Sequence, residues 1–85
     1  MSKRFAFFYF MKPQPDNIGP IVPLHISYWH GKALDGYQGG PFSDRSGGLI
    51  TFEAENIEAA TALAMDDPFV KEDLLETTWV KEWMA

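Results

Sequence analysis

Residues 5–11 read Phe-Ala-Phe-Phe-Tyr-Phe-Met, seven apolar side chains in succession. The length suits a β-strand, and the lack of polar alternation predicts that both of its faces are buried. A chain of 85 residues forms one domain with a single modest core, expected to span residues 1–85. Its own helices can cover only one face of a sheet. The other face then needs a second sheet, most simply from an identical chain. Apolar residues make up 46% of the chain and aromatics 15%, a surplus that suggests another subunit covers part of the apolar surface. A homodimer through the open face of the sheet is therefore expected.

Charge and composition exclude several partners. The net charge is −5, with no Lys/Arg cluster beyond Lys3-Arg4, so nucleic acid is not expected. No run approaches the ~20 apolar residues of a membrane span. The start Met1-Ser2-Lys3-Arg4, followed by an apolar stretch, resembles a signal peptide only superficially. The stretch is short and no small-residue cleavage site follows. Without cysteine there are no disulfides, thiolate metal sites or cysteine nucleophiles. The expectation is a soluble, cytoplasmic protein.

Residues 12–22 contain Pro13, Pro15, Gly19 and Pro20 and read as a loop, long for so small a domain. Pro23 can open a helix over residues 24–34, stopped by Asp35-Gly36. Its apolar stripe would be Leu24, Ile26, Tyr28, Trp29, Ala33 and Leu34. Residues 37–42 and 48–53 read as a hairpin around the turn Ser43-Asp44-Arg45-Ser46-Gly47. Asn56 caps a helix over residues 57–65. A short helical segment over residues 69–75 and a final strand over residues 77–84 complete the chain. The order strand, helix, strand, strand, helix, strand predicts an α+β, ferredoxin-like fold: a four-stranded antiparallel sheet with helices on one face.

Between the last helix and strand stands Met65-Asp66-Asp67-Pro68-Phe69. Pro68 pushes Asp67 into an extended conformation, which makes Asp67 a good N-cap with proline in the first helical turn. A carboxylate held by backbone N–H groups favours its charged form, and a charged carboxylate can orient an imidazole. Asp66 lacks the proline constraint and ranks second. His25, in the first turn of the first helix, shares a face with Tyr28, Trp29 and Lys32. Its plainer role is a hydrogen-bonded packing residue. His30 lies five residues on, about 140° around the helix, and reads as surface. Two histidines at that spacing do not make a metal site, and no metal or cofactor is expected. Asp44 and Arg45 can line a pocket mouth, or serve only as turn polarity. Gly39-Gly40 and Gly47-Gly48 lack the spacing of a phosphate loop, and Ser27, Ser43 and Ser46 lack a nucleophile-elbow context.

Taken together, His25-Ile26-Ser27-Tyr28-Trp29, Gly40-Pro41, Gly47-Gly48-Leu49-Ile50 and Asp67-Pro68-Phe69-Val70 resemble the YCII-related (YciI-like) family, in order and nearly in spacing. The resemblance implies a ferredoxin-like subunit that dimerises into an α+β barrel. It also implies a histidine–aspartate pair at a pocket, which falls on His25 and Asp67. Most members have no established activity, and a few resemble enzymes that remove HCl from chlorinated aromatics. Two departures stand out: residues 36–41 are about two positions shorter than the family pattern, with an extra glycine, and residues 12–22 are proline-rich. A distorted second strand and a reshaped pocket entrance are the expected consequences.

Two readings remain open. In one, a cofactor-free enzyme uses His25 and Asp67 for acid/base chemistry, as a dehydrochlorinase, lyase or isomerase of a small cyclic or aromatic substrate. Tyr28, Trp29 and the first-strand aromatics would wall the pocket, with Gly40, Pro41, Asp44 and Arg45 also placed against the substrate. In the other, a non-catalytic ligand-binding or accessory protein keeps the pair for structure or anion binding.

Overall fold

The first strand, β1 (Lys3–Met11), lies at the centre of the sheet and organises everything around it. A computed structural model describes residues 2–84. Met1 and Ala85, the ends of the expected domain, lie outside the described residues. Phe5, Phe7 and Tyr9 are buried on one face of β1, whereas Ala6 and Phe8 are only half-buried and Phe10 is exposed on the other. Within one chain, then, the strand buries one face.

Helix α1 (Pro15–Ile18) and a 3-10 turn at Gly19–Ile21 lead into α2 (Val22–Gly31). The loop expected over residues 12–22 is thus largely helical. Pro15, Pro20 and Pro23 each occupy a first turn, where the missing N–H has no helical partner to lose. The helix also ends at Gly31 rather than near Leu34. Ala33 takes a left-handed φ of 50°, and the last bonds run from Lys32 and Ala33 back only three residues, at 3.3 Å each. The expected apolar stripe is corrected as well. α2 buries His25 and Trp29, one turn apart, and leaves Leu24 and Ile26 exposed.

Strands β2 (Gln38–Pro41) and β3 (Gly47–Ala54) form the hairpin, and β2 pairs through Gln38↔Thr51 to Pro41↔Gly48 without a register shift. The distortion expected from the shortened 36–41 segment does not occur. Asn56 caps α3 (Ile57–Met65), accepting the Ala59 N–H at 2.8 Å. After α4 (Pro68–Lys71), shorter than expected, β4 (Leu75–Glu82) completes the sheet, starting two residues before the expected strand. The strand order is β2-β3-β1-β4, and every pairing is antiparallel. With helices on the buried face, this is the ferredoxin-like α+β fold. Phe5, Phe7, Ile50 and Phe52 of the sheet meet Trp29, Ala60, Ala64 and Phe69 of the helices in one core. Each large side chain buried there contributes about 1.5–3 kcal/mol.

Candidate active site

The Asp67-Pro68 joint produces the local structure its sequence predicts. Asp67 is extended (φ −57°, ψ 132°), caps α4, and accepts the Phe69 N–H on Oδ1 at 2.8 Å. Its carboxylate is completely buried. A bare carboxylate there would be costly, so its hydrogen bonds decide whether the site is tenable. Trp29 Nε1–H donates to Oδ2 at 2.8 Å, and His25 Nδ1 lies 2.8 Å from Oδ2 and 2.9 Å from Oδ1. Three N–H donors from α2 and α4 therefore converge on one carboxylate.

This arrangement settles the histidine's orientation. A carboxylate only accepts, so Nδ1 carries the proton that bridges to Asp67, and Nε2 points the other way. The Phe69 ring stacks on the imidazole at 4.1 Å with 14° between planes, fixing the ring's second axis. The Tyr9 hydroxyl lies 3.3 Å from Nε2, at the long end of a hydrogen bond. Burial, then the charge of Asp67, then Tyr37 push the Tyr9 phenol well above its ordinary range, so at neutral pH it keeps its proton and can donate a hydrogen bond.

Tyr9 is held by glycine. A methyl group added at Gly48 would run into its hydroxyl and ring, and one at Gly47 into its backbone carbonyl. The Gly47-Gly48 pair is thus a close-approach site between β3 and β1.

A cavity of about 440 Å³ opens beside this cluster, between α2 and the β2–β3 hairpin. Its size falls within the range of small-molecule sites. His25, Tyr9 and Phe69 line it together with Gly40, Pro41 and Arg45. Among the described residues, no group of three His, Asp or Glu side chains is arranged to hold a metal ion.

Several expected site residues take other places. Trp29 does not wall the cavity but holds Asp67 from behind. Tyr28 points to α3, donating to the Leu63 carbonyl at 2.6 Å; its pKa is pushed up to about 12 by burial and by Asp66 and Asp67. Asp44 is not in the lining either. Its Oδ1 accepts from the Ser46 amide at 2.9 Å and hydroxyl at 2.6 Å, which lowers its own pKa. Asp66 ends α3 and lies 3.6 Å from Lys71. His30, exposed as expected, nonetheless reaches the cavity lining, where it meets Tyr37 edge-on. The sequence reading missed Tyr37 and the roles of Tyr9 and Trp29. The four-residue spacing of His25 and Trp29 was the available signal for Trp29.

Residues 5–84 match the family described as the YCII-related domain. The chain belongs to the YCII-related family. Among curated relatives of this YCII-related chain, the uncharacterized protein YjpA of Bacillus subtilis is 43% identical over 44 residues. That match covers 52% of this chain and 51% of YjpA, so the chain spans about half the length of this relative. The fold is similar to a solved Burkholderia phenoliruptrix structure, the 5-chloro-2-hydroxyhydroquinone dehydrochlorinase TftG in complex with 2,5-dihydroxybenzoquinone. That similarity has a TM-score of 0.78 at 24% identity, covering 94% of this chain and 92% of the other. An antibiotic biosynthesis monooxygenase structure is similar at a TM-score of 0.64 and 14% identity, over 100% and 98% of the two chains. At these identities both likenesses concern the fold.

Proposed function

We propose that this YCII-related protein is an acid/base enzyme acting on a small cyclic or aromatic compound, with His25 as the proton-transfer residue and Asp67 as its positioning partner. One observation supports the reading: a fully buried carboxylate holds the imidazole through Nδ1, and the same His25 lines a cavity of about 440 Å³. In this scheme Nε2 takes a proton from a ring carbon or hydroxyl of the substrate, and the Nδ1–H···Asp67 bond stabilises the resulting imidazolium. The electron pair left behind expels a leaving group such as chloride, or the proton returns at another atom, giving a lyase or an isomerase. Tyr9 O–H faces the same space as a donor to developing negative charge. The fold likeness to a dehydrochlorinase supports the lyase form.

The test is a thermal-shift screen of small cyclic hydroxy, keto and chloro compounds, followed by proton-exchange and chloride-release assays on the hits. Turnover that disappears in His25→Asn supports the reading. A ligand that binds without any proton exchange or turnover identifies a binding module instead.

We also infer that the open face of the sheet is covered by a second copy of the chain. Phe8 and Trp79 stack there at 6.4 Å, and Phe10, Leu49 and Trp79 are between 37% and 47% exposed. An apolar face of this kind supports association. Among the described residues no helix is long and apolar enough to cross a membrane. We place the protein in the cytoplasm, a setting with which a cysteine-free sequence is compatible.

A further inference from the structure

The polar side chains of the cavity are of one electrostatic kind. Tyr9, His25, His30, Tyr37 and Arg45 line it, and no aspartate or glutamate does. The nearby carboxylate, Asp67, is sealed behind His25, with both oxygens engaged by N–H donors. In a chain with 12 acidic against 7 basic residues, a cavity lined without a single acid is the reverse of the average surface.

Arg45 is the permanent charge in this set. The hairpin turn holds it in the left-handed region, at φ 65°, which a residue other than glycine adopts at a cost. Its amide N–H donates to the Phe42 carbonyl at 2.9 Å. The adjacent Asp44 would be the natural counter-ion, but its carboxylate turns to the Ser46 amide and hydroxyl. Among the described residues no carboxylate lies within ion-pair distance of the Arg45 guanidinium. The turn thus uses its acid for its own geometry, and Arg45, exposed on the turn, is left as the unpaired cation among the residues that line the cavity. Tyr9, in the same lining, is kept protonated and so presents a donor rather than a negative oxygen.

We propose that the substrate is an anion: a small ring bearing a carboxylate or an ionised hydroxyl, whose negative oxygens pair with Arg45 while the ring lies against Tyr9 and Phe69. The proposal rests on the acid/base reading of the same site for calling the ligand a substrate, but the charge preference itself does not depend on any proton transfer.

Binding by calorimetry to two matched pairs of probes tests this: benzoate against benzamide, and para-nitrophenolate against nitrobenzene. The anion of at least one pair should bind about tenfold or more tightly than its neutral partner, and added salt should weaken only the anion. The pair that shows the preference tells carboxylate from ionised hydroxyl. Arg45→Asn, chosen because asparagine tolerates the left-handed backbone, should level each pair without weakening the neutral members. Arg45→Lys should restore part of the preference. Equal or tighter binding of the neutral partners, an anion preference that survives in Arg45→Asn, or no binding of any probe would overturn the proposal. In His25→Asn the preference should persist even if all turnover is lost, so a failure of the acid/base reading and a failure of the anion preference give different results.

Discussion

His25 Nδ1 lies 2.8 Å from Asp67 Oδ2 although 42 positions separate the two residues in sequence. The pair joins α2 to the start of α4, and the fold closes around it. Because Asp67 is fully buried and accepts three N–H donors, the contact is as much a packing element as a candidate site. Removing the carboxylate strands three donors at once. We expect Asp67→Ala to cost about 3 kcal/mol or more of stability, since each buried donor left unsatisfied costs about 1–3 kcal/mol, measured by urea denaturation. A loss below about 1 kcal/mol, the range of a surface pair, would contradict this picture.

Trp29 is expected to be the second support of that carboxylate. Trp29→Phe keeps an aromatic ring against Phe7 and Phe52 but removes the N–H from Asp67. A hydrogen bond to a charged group is worth about 1.5–3 kcal/mol, so denaturation should show a loss in that range plus a small repacking cost. Wild-type stability in the variant would mean that the indole N–H is dispensable.

Gly48→Ala should displace Tyr9. The added methyl group meets the Tyr9 ring and hydroxyl and lies 2.9 Å from the Gly40 carbonyl oxygen. Overpacking of this kind costs about 1–3 kcal/mol, and the imidazole Nε2 resonance of His25 should shift as the phenol moves away. An unmoved resonance would show that the hydroxyl does not act on that nitrogen.

The alkaline limb of the stability curve should carry the signature of the buried phenols. Tyr9, raised by burial, by Asp67 and by Tyr37, and Tyr28, pushed up to about 12, keep their protons in the folded state above the ordinary value of 10.0. In the unfolded chain they release them there. The folded state then binds more protons, so stability is complete below about pH 10 and falls as pH rises beyond it. Tyr9→Phe should make that fall shallower from about pH 10 upward, above the pKa of a free phenol. An identical slope would remove Tyr9 from the account.

The open sheet face should mediate self-association. Trp79 is 47% exposed and stacked on Phe8, and Trp79→Glu sets a charge in the middle of that face. Sedimentation should show a dimer for the wild type at micromolar concentration and a monomer for the variant. A wild-type monomer would contradict the inference.

What could be read from the sequence followed local chemistry. Asn56 marked the start of α3, and Asp67-Pro68 marked the start of α4, because a cap and a proline act on their immediate neighbours. The central strand was evident from its run of aromatics. The end of α2 was not, since Ala33 adopts its left-handed backbone only in the folded context. The proline-rich approach to α2 read as a loop because prolines that break a helix interior are the same residues that open a first turn. At the site, the sequence motif brought out His25 and Asp67. Trp29 read as a hydrophobic wall, and Tyr9 disappeared into an aromatic run. Their roles depend on single polar atoms, Nε1 and the hydroxyl, whose aim only the packed structure determines.

Asp67 fixes the His25 ring with Nδ1 protonated and Nε2 turned towards the Tyr9 hydroxyl. Nitrogen-15 detected NMR of the His25 ring, in the wild type and in Asp67→Asn, tests it directly. The neutral wild-type ring should be held in the Nδ1–H form, with unprotonated Nε2, and Asp67→Asn should change this tautomer balance. The same tautomer populations in both proteins, or an Nε2–H form in the wild type, would contradict it.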